Sequence, residues 1–389
     1  MRALPTGLTA AGLLTFFVFG LPDALLGAAW PQLRHEHGQP ASALSILLVC
    51  GTGAFFLSTS TSAWLAGRVG NRRLVLLAAL LAATGGCAIA VSPSFGVVAL
   101  GVALLSGGAG CVDALLSSLV SLAGQARLIG VMHSVYAVGA AGAPLMLALW
   151  ASSETWRFAY LVVGLIYVLL LVWFSAVWVE PAGPAAVGVQ PAVPAPRVAP
   201  GRLVLALGTF VFASGLEIAI GAWAAVYVAD GLDGSARSAS FASLAFWGSL
   251  CLVRMVAGRG GLGRAGTWLV GGSVLAVAGA LLLVVTSSLP LALLGFVVLG
   301  LGVGPQLPML TVLTPRRVGD EAASWVIGWQ LAAASVGAAF IAGGVGFSVH
   351  HFDVGSIPVV LAVVAVVTTL LVAGLDRLHA VPAPGRQGD

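Results

Sequence analysis

The stretch FVFGLPDALLGAAWP, from Phe17 to Pro31, places a carboxylate, Asp23, inside an apolar run long enough to cross a membrane. A charged side chain at that depth costs roughly 3 kcal/mol even by the lower estimates, so acids are rare there and mark functional sites. A second stretch, FVFASGLEIAIGAWA at residues 210–224, places Glu217 at the position of Asp23 after a shift of 194 residues. Two acids at matching positions predict two related halves, an arrangement typical of transporters whose site lies between repeats.

The composition is that of a protein that crosses the membrane many times. The 389 residues are 59% hydrophobic and 8% charged, with a mean hydropathy of +1.07. Soluble domains carry about 25% charged residues, so a soluble globule is excluded. Apolar runs of about 20 residues predict twelve membrane-spanning helices. We place them at residues 8–32, 42–67, 73–93, 95–122, 128–150, 156–179, 202–229, 238–258, 266–287, 289–314, 322–347 and 355–375.

The arginines predict the orientation of these helices, because the sequence contains no lysine. If the N-terminus is cytoplasmic, the outer loops hold only three of the 17 basic residues: Arg34, Arg157 and Arg237. An excess of basic residues in cytoplasmic segments is the usual pattern of multi-pass proteins. We therefore expect both termini in the cytoplasm and the chain in the cell membrane. Topology also explains the pI of 9.2, so no nucleic-acid partner is inferred.

A central segment is expected to separate the twelve helices into two sets of six. The segment that begins at Glu180, EPAGPAAVGVQPAVPAPRVAP, is rich in proline, alanine and glycine, which is typical of a flexible linker. We expect four parts: an N-terminal six-helix bundle at residues 1–179, a cytoplasmic linker at 180–201, a C-terminal six-helix bundle at 202–379 and a disordered tail at 380–389.

Further repeats support two related halves. The tripeptide Ala-Gly-Arg at residues 66–68 recurs at 257–259, and the glycines at 108 and 110 recur at 302 and 304. Such internal repeats are typical of transporters built from duplicated bundles. Prolines within the apolar runs are expected to interrupt helices and free backbone carbonyls. They are Pro22, Pro31, Pro144, Pro305 and Pro308.

Six segments carry a resemblance to a known family. They are GLPDALLGAAWPQLR at 20–34, MHSVYAVGAAGAPL at 132–145, GLEIAIGAWAAVY at 215–227, FWGSLCLVRMVAGR at 246–259, GLGVGPQLPMLTVLTPRRVGDE at 300–321 and GWQLAAASVGAAFI at 328–341. With these segments the chain resembles the major facilitator superfamily, and within it the group of the fucose permease and the glucose/galactose proton symporters. The resemblance implies an all-α membrane protein, with twelve transmembrane helices in two pseudo-symmetric six-helix bundles.

One motif departs from the superfamily pattern. The loop between helices 2 and 3 usually carries an aspartate before its arginine, and none is present ahead of Arg68. The charge relay that closes the cytoplasmic side in the family is therefore in doubt here. We expect a gating or structural role at helix ends for four arginines, with topology alone as the alternative. They are Arg68, Arg72, Arg254 and Arg259.

Three carboxylates lie deep in the predicted helices: Asp23 in helix 1, Asp113 in helix 4 and Glu217 in helix 7. We expect no arginine near mid-membrane to pair with them, so desolvation favours their neutral, protonated forms. Such acids suit proton coupling. In the resembling symporters the helix 1 and helix 4 acids are linked to protonation and sugar binding, which maps to Asp23 and Asp113. The alternative for each acid is a structural hydrogen bond to a neighbouring helix, and for Glu217 a bond across the repeat axis.

Helical spacing places these acids beside small or aromatic residues, as in Phe16, Phe19, Asp23 and Trp30. Such a face suits a sugar, whose hydroxyls bond carboxylates while its C–H face packs on aromatic rings. A hydrogen bond between helices would satisfy polar side chains equally well. Besides Asp23, Asp113 and Glu217, the candidate solute-binding residues are Trp30, His133, Tyr136, Trp247, Gln306 and Gln330.

Three functions remain open at this point. The first is a secondary active transporter that couples proton entry to uptake of a monosaccharide or a similar small polar solute, with sodium as the alternative ion. The second is a proton-driven exporter of amphiphilic or hydrophobic compounds, which the single asparagine in the chain, Asn71, favours. The third is a receptor or scaffold without transport. We expect a monomer that is not an enzyme, with no cofactor and no metal, because the four cysteines lack CxxC spacing and no phosphate-binding GxxxxGK[ST] loop is present.

Overall fold

The computed structural model describes residues 5–122, 126–150, 155–178, 198–257 and 262–380. Most of the predicted linker and the whole tail from residue 381 lie outside the described residues, as does Arg259. The proposed domain boundaries therefore stay predictions.

The described residues form thirteen α-helices. They are α1 Thr6–Glu36, α2 Leu44–Val69, α3 Asn71–Ala90, α4 Phe95–Leu122, α5 Ala126–Trp150, α6 Thr155–Val177, α7 Pro200–Val226, α8 Ala236–Ala257, α9 Ala265–Val285, α10 Leu289–Val303, α11 Gln306–Val318, α12 Asp320–His351 and α13 Ser356–Ala380. Each predicted span coincides with a helix, and the tenth is divided into α10 and α11. Within the described residues, eleven helical spans are long and apolar enough to cross a membrane, and α5 supplies the twelfth predicted span.

Most of the prolines do not interrupt their helices as expected. Helix α1 continues through Pro22 and Pro31, and α5 continues through Pro144. A membrane helix tolerates proline where neighbouring helices and local adjustment accommodate the freed carbonyl. A break does occur at Gly304 and Pro305, between α10 and α11.

The helices pack into two bundles, α1 to α6 and α7 to α13, and the most extensive contacts between them are those of α1 with α7, α2 with α12, and α5 with α8. The repeat relates α2 to α8 and α5 to α12. The second and third pairs are therefore equivalent contacts, as pseudo-two-fold symmetry requires. This all-α, two-bundle architecture confirms the predicted fold class.

Glycines give the same close packing in each bundle. Gly139 of α5 lies against the carbonyl of Phe17 in α1, and Gly337 of α12 lies against the carbonyl of Val211 in α7; neither position has room for a Cβ. Phe17 and Val211 are 194 residues apart in sequence, which is the shift that relates the two acids. Small residues allow such close backbone approach in membranes.

Two names describe the membrane faces. The terminal side is the face that holds the start of α1 and the end of α13. The far side is the opposite face, which holds the connection between α1 and α2.

Candidate functional site

Four polar side chains meet where the two bundles face each other, and we call them the central polar cluster: Asp23 of α1, Tyr136 of α5, Glu217 of α7 and Arg254 of α8. In the first bundle, the Tyr136 hydroxyl donates to Asp23 Oδ2 at 2.6 Å. In the second, Arg254 Nη2 donates to Glu217 Oε2 at 2.6 Å. Charges couple the two pairs, because Asp23 interacts electrostatically with Glu217, and Tyr136 with Arg254. The cluster is thus one electrostatic unit that spans both bundles.

The acids of the cluster differ in their access to solvent. Asp23 lies deep within the protein, yet its side chain is accessible to water, so it lines an internal recess. The Glu217 side chain is only 6% exposed, and that of Arg254 is 16% exposed. Water therefore reaches Asp23 more readily than it reaches Glu217.

Aromatic rings flank Asp23. One turn earlier on α1, Phe19 stacks on Phe55 of α2 with ring centroids 5.5 Å apart and planes 11° from parallel. Phe19 also lies 5.2 Å from the Tyr136 ring. Phe19 and Asp23 therefore both contact Tyr136 of α5.

The bundles touch each other on the far side of the cluster. A Cβ at Gly27 of α1 would come within 2.5 Å of the Gly221 carbonyl oxygen in α7. Ser45 Oγ of α2 donates to the Gly343 carbonyl of α12 at 2.8 Å. Near the membrane surface, Arg34 forms an ion pair with Asp230. These contacts join the two bundles on the far side, which favours access to Asp23 from the terminal side.

Glu217 does have a cationic partner, contrary to our expectation. Arg254 lies in the last turn of α8, as expected for a helix-end arginine, and its guanidinium points to α7. Its Nε also donates to the Gly304 carbonyl at 2.9 Å. The predicted eighth span already contained Arg254, so its position inside that span was the available signal.

The sequence matches the family model described as the Major Facilitator Superfamily over residues 12–342. The chain belongs to the major facilitator superfamily. No curated protein matches its sequence.

Solved structures share its fold at low sequence identity. A bacterial homolog of the human lysosomal transporter Spinster, in an inward-facing and occupied conformation, has a TM-score of 0.77 and 14% identity, covering 97% of this chain and 98% of that one. A D-xylose–proton symporter has a TM-score of 0.74 and 13% identity, covering 94% and 96%. The transporter FucP, in the outward conformation, has a TM-score of 0.62 and 13% identity, covering 94% and 98%. At these identities the likeness shows the fold alone.

Asp113 of this superfamily member lies apart from the central polar cluster. It accepts a hydrogen bond from Ser117 Oγ, one turn later on the same helix, at 3.1 Å. The Tyr167 side chain of α6 interacts electrostatically with both Asp113 and Asp23. Its buried hydroxyl has no hydrogen-bond partner among the described residues. Tyr167 is thus a polar group that lies within the electrostatic reach of both acids and that sequence reasoning missed.

Two predicted solute-binding residues have structural partners instead. Trp30 is fully buried, and its indole nitrogen donates to the Ala41 carbonyl at 3.0 Å. Gln330 is buried, and its amide oxygen accepts from Thr314 Oγ1 at 3.0 Å. We therefore leave both out of the candidate site, because hydrogen bonds within the protein satisfy these groups.

Three further candidates remain open. Trp247 is buried against Gly221, with its indole nitrogen unpartnered within the described part of the chain. Gln306 is fully buried, and neither of its amide atoms has a partner among the described side chains and backbone. The side chain of His133 lies outside the described residues.

The arginines near the terminal side make local contacts. The Arg68 guanidinium lies 3.7 Å from the centre of the Trp64 ring. Arg72 Nη2 donates to the Ser175 carbonyl in the last turn of α6 at 2.8 Å. The second contact is of the helix-end type that we expected, because carbonyls at a helix C-terminus attract cations. A gating role for Arg68 and Arg72 stays a prediction.

Proposed function

We propose that this protein is a secondary active transporter that couples proton entry to uptake of a monosaccharide or a similar small polar solute by alternating access. One observation carries the proposal: a water-accessible acid, Asp23, faces a second acid, Glu217, across the interface of the two bundles. Acids at such an interface can bind a proton on one side of the membrane and release it on the other as the bundles rock.

The coupling step follows from the charges in the cluster. Ionised Asp23 accepts the Tyr136 hydrogen bond and repels ionised Glu217. A proton that enters the recess and binds Asp23 removes this repulsion, which favours tighter approach of α1 and α7. Asp113 is a second proposed coupling acid, linked to Asp23 through Tyr167.

The solute assignment rests on the chemistry around Asp23. Carboxylate and phenol groups can bond sugar hydroxyls, while the stacked rings of Phe19 and Phe55 offer an apolar wall for a C–H face. The similar folds of a D-xylose–proton symporter and of FucP are compatible with this class. The resemblance to the fucose permease and glucose/galactose symporter group supports it further. We also propose a monomer in the cell membrane with cytoplasmic termini, on the arginine distribution.

The test is transport by purified protein in proteoliposomes. We expect Asp23→Asn to abolish concentrative uptake of the solute while equilibrium exchange persists, because an amide at this position cannot bind and release a proton. Asp353→Asn is the matched control, since this aspartate is exposed in the turn between α12 and α13. If Asp23→Asn still accumulates solute against a gradient, Asp23 is not the coupling acid.

A second candidate is proton-driven export of amphiphilic compounds. It is favoured by the aromatic stack beside Asp23 and by the internal bond of Gln330, which leaves few neutral polar groups facing the recess. Sugar added to proteoliposomes alkalinises the medium if the protein is a proton–sugar symporter. An exporter gives no such signal with sugars, and instead moves an amphiphilic dye under an imposed proton gradient. Replacing the proton gradient by a sodium gradient tests the alternative ion.

A further inference from the structure

The tenth membrane span has a backbone carbonyl that its own helix cannot satisfy. In an unbroken α-helix, the N–H of residue 308 would donate to the carbonyl of residue 304. Residue 308 is a proline and has no N–H, so the Gly304 carbonyl lacks its helical donor. Arg254 Nε of α8 donates to this carbonyl at 2.9 Å and takes the place of the missing N–H.

Close packing brings α8 within reach of that carbonyl. A Cβ at Gly304 would lie 3.0 Å from the Leu250 carbonyl oxygen, and it would also meet Val253. Gly300, one turn earlier, lies equally close to the backbone of Phe246. The short guanidinium contact therefore depends on two glycines that allow α10 and α8 to approach.

The same guanidinium also neutralises Glu217. Nη2 donates to Glu217 Oε2 while Nε donates to Gly304, so one planar group ties α7 to the break in the tenth span. Both partners are largely buried, and removal of the carboxylate from such a pair leaves an uncompensated buried charge, which is strongly destabilising. The charge of Glu217 is what fixes Arg254 in its present orientation.

Gln306, which follows the break, has unsatisfied polar groups in the present conformation of the tenth span. Gln306 begins α11 and is fully buried, and its amide nitrogen and oxygen lack hydrogen-bond partners in the described part of the protein. Buried amides without partners are uncommon and call for an explanation. A second arrangement of the break, in which α11 tilts, would give Gln306 access to partners.

We infer that Arg254 is a positioning residue that replaces the donor missing at Pro308, and that the charge on Glu217 thereby controls the bend of the tenth span. With Glu217 ionised, Arg254 holds Gly304 and α11 keeps its present tilt. With Glu217 neutral, Arg254 leaves Gly304 and α11 becomes mobile. This inference rests on the proposed function only in that Glu217 is taken as one of its coupling acids.

A distance measured within the second bundle tests the inference without any transport. Spin labels at Val312→Cys in α11 and Val204→Cys in α7 occupy exposed positions in the terminal-side halves of these helices. The two half-buried native cysteines, Cys50 and Cys87, are replaced by alanine. Pulsed electron–electron double resonance then measures the distance between the two labels, which reports the tilt of α11. The sample is the full chain in nanodiscs, with no solute and no gradient.

We expect Glu217→Gln to shift and broaden the distance distribution relative to the wild type. Adding Pro308→Ala should restore the narrow wild-type distribution, because the new N–H binds the Gly304 carbonyl in place of Arg254. A purely structural role for Glu217 would not be rescued by a change in another helix. The inference is overturned if Glu217→Gln matches the wild type, or if Pro308→Ala fails to narrow its distribution.

Arg254→Lys covers the case in which Glu217→Gln does not fold. A lysine keeps a positive charge beside Glu217 but lacks the planar fork that serves two acceptors, so it should give the same broadening. Arg237→Lys, at an exposed position in the first turn of α8, is the matched control and should leave the distances unchanged. The distance between α7 and α11 does not depend on which solute the protein transports. The Asp23→Asn flux assay, in turn, does not depend on the tilt of α11. Each proposal can therefore fail by itself.

Discussion

The two acids that the repeat places at equivalent positions have different partners. Asp23 in the first bundle is accessible to water and accepts a hydrogen bond from a neutral phenol, Tyr136. Glu217 in the second bundle is buried and pairs with a guanidinium, Arg254. The repeat therefore places the two acids at equivalent positions, but their surroundings differ. The first acid is suited to exchange protons with the recess, and the second is suited to hold a charge that fixes a neighbouring helix.

The largest expected effect is on the stability of the protein, and it arises from the ion pair in the second bundle. Arg254→Ala leaves the Glu217 carboxylate buried without its partner and should lower the free energy of unfolding by about 3–5 kcal/mol. Tyr136→Phe removes a hydrogen bond from an acid that water still reaches, and should cost about 1.5 kcal/mol, the lower end for a bond to a charged group. Denaturant titration in detergent micelles measures both.

A double variant serves as the control for that measurement. Arg254→Ala with Glu217→Ala removes both charges, and should recover most of the stability that Arg254→Ala loses. Equal losses of unfolding free energy for Arg254→Ala and Tyr136→Phe would show that the two acids are held in equivalent environments. That result would contradict the difference between Asp23 and Glu217.

The next effect is on transport, in the first bundle. A hydrogen bond to a charged group is worth about 1.5–3 kcal/mol, so Tyr136→Phe should raise the KM for the solute about tenfold or more if Tyr136 holds Asp23 in its binding orientation. Initial rates of uptake in proteoliposomes over a range of solute concentrations give the KM. An unchanged KM would remove Tyr136 from the candidate solute site.

A smaller effect is expected at the far-side ion pair. Arg34 and Asp230 are each 21% exposed and join the two bundles, so Asp230→Asn should weaken far-side closure by about 1 kcal/mol, about a fivefold change in population. Spin-label distances between the far-side ends of α1 and α7 measure the population. High salt should reduce the difference between the variant and the wild type, because it screens partly exposed charges.

The matched control for the far-side pair lies within one bundle. Glu36 of α1 pairs with Arg157 of α6, so Glu36→Gln breaks an ion pair without touching the bundle interface. Its α1–α7 distances should equal those of the wild type. If Glu36→Gln opens the far side as much as Asp230→Asn does, closure depends on the total charge at this face and not on the pair that joins the bundles.

The smallest expected effect is at Trp30. Its indole donates to Ala41 and is fully buried, so Trp30→Phe should lose one hydrogen bond and leave the KM within about twofold of the wild type. Uptake assays alongside Tyr136→Phe provide the measurement. A tenfold rise in KM for Trp30→Phe would return this residue to the solute site.

Sequence reasoning identified the acids but not all of their surroundings. It found Asp23, Tyr136 and Glu217, because polar side chains in an apolar run are conspicuous whatever they contact. It expected Glu217 to be unpaired, because neither the rotation of α8 about its axis nor its distance from α7 can be read from the local pattern. It also assigned Trp30 and Gln330 to the solute site, although tertiary contacts with Ala41 and Thr314 already satisfy them.

The sequence by itself determined the membrane-spanning helices, the two related halves and the positions of the acids within the helices. These features follow from local quantities: the thickness of the hydrocarbon layer fixes the length of an apolar run, and the cost of a charge in it makes each acid stand out. Only the tertiary structure decided that Asp23 meets Tyr136, that Glu217 meets Arg254, and that Arg254 supplies the donor missing at Pro308. These contacts join residues that are 113, 37 and 50 positions apart, and they depend on how whole helices rotate and dock.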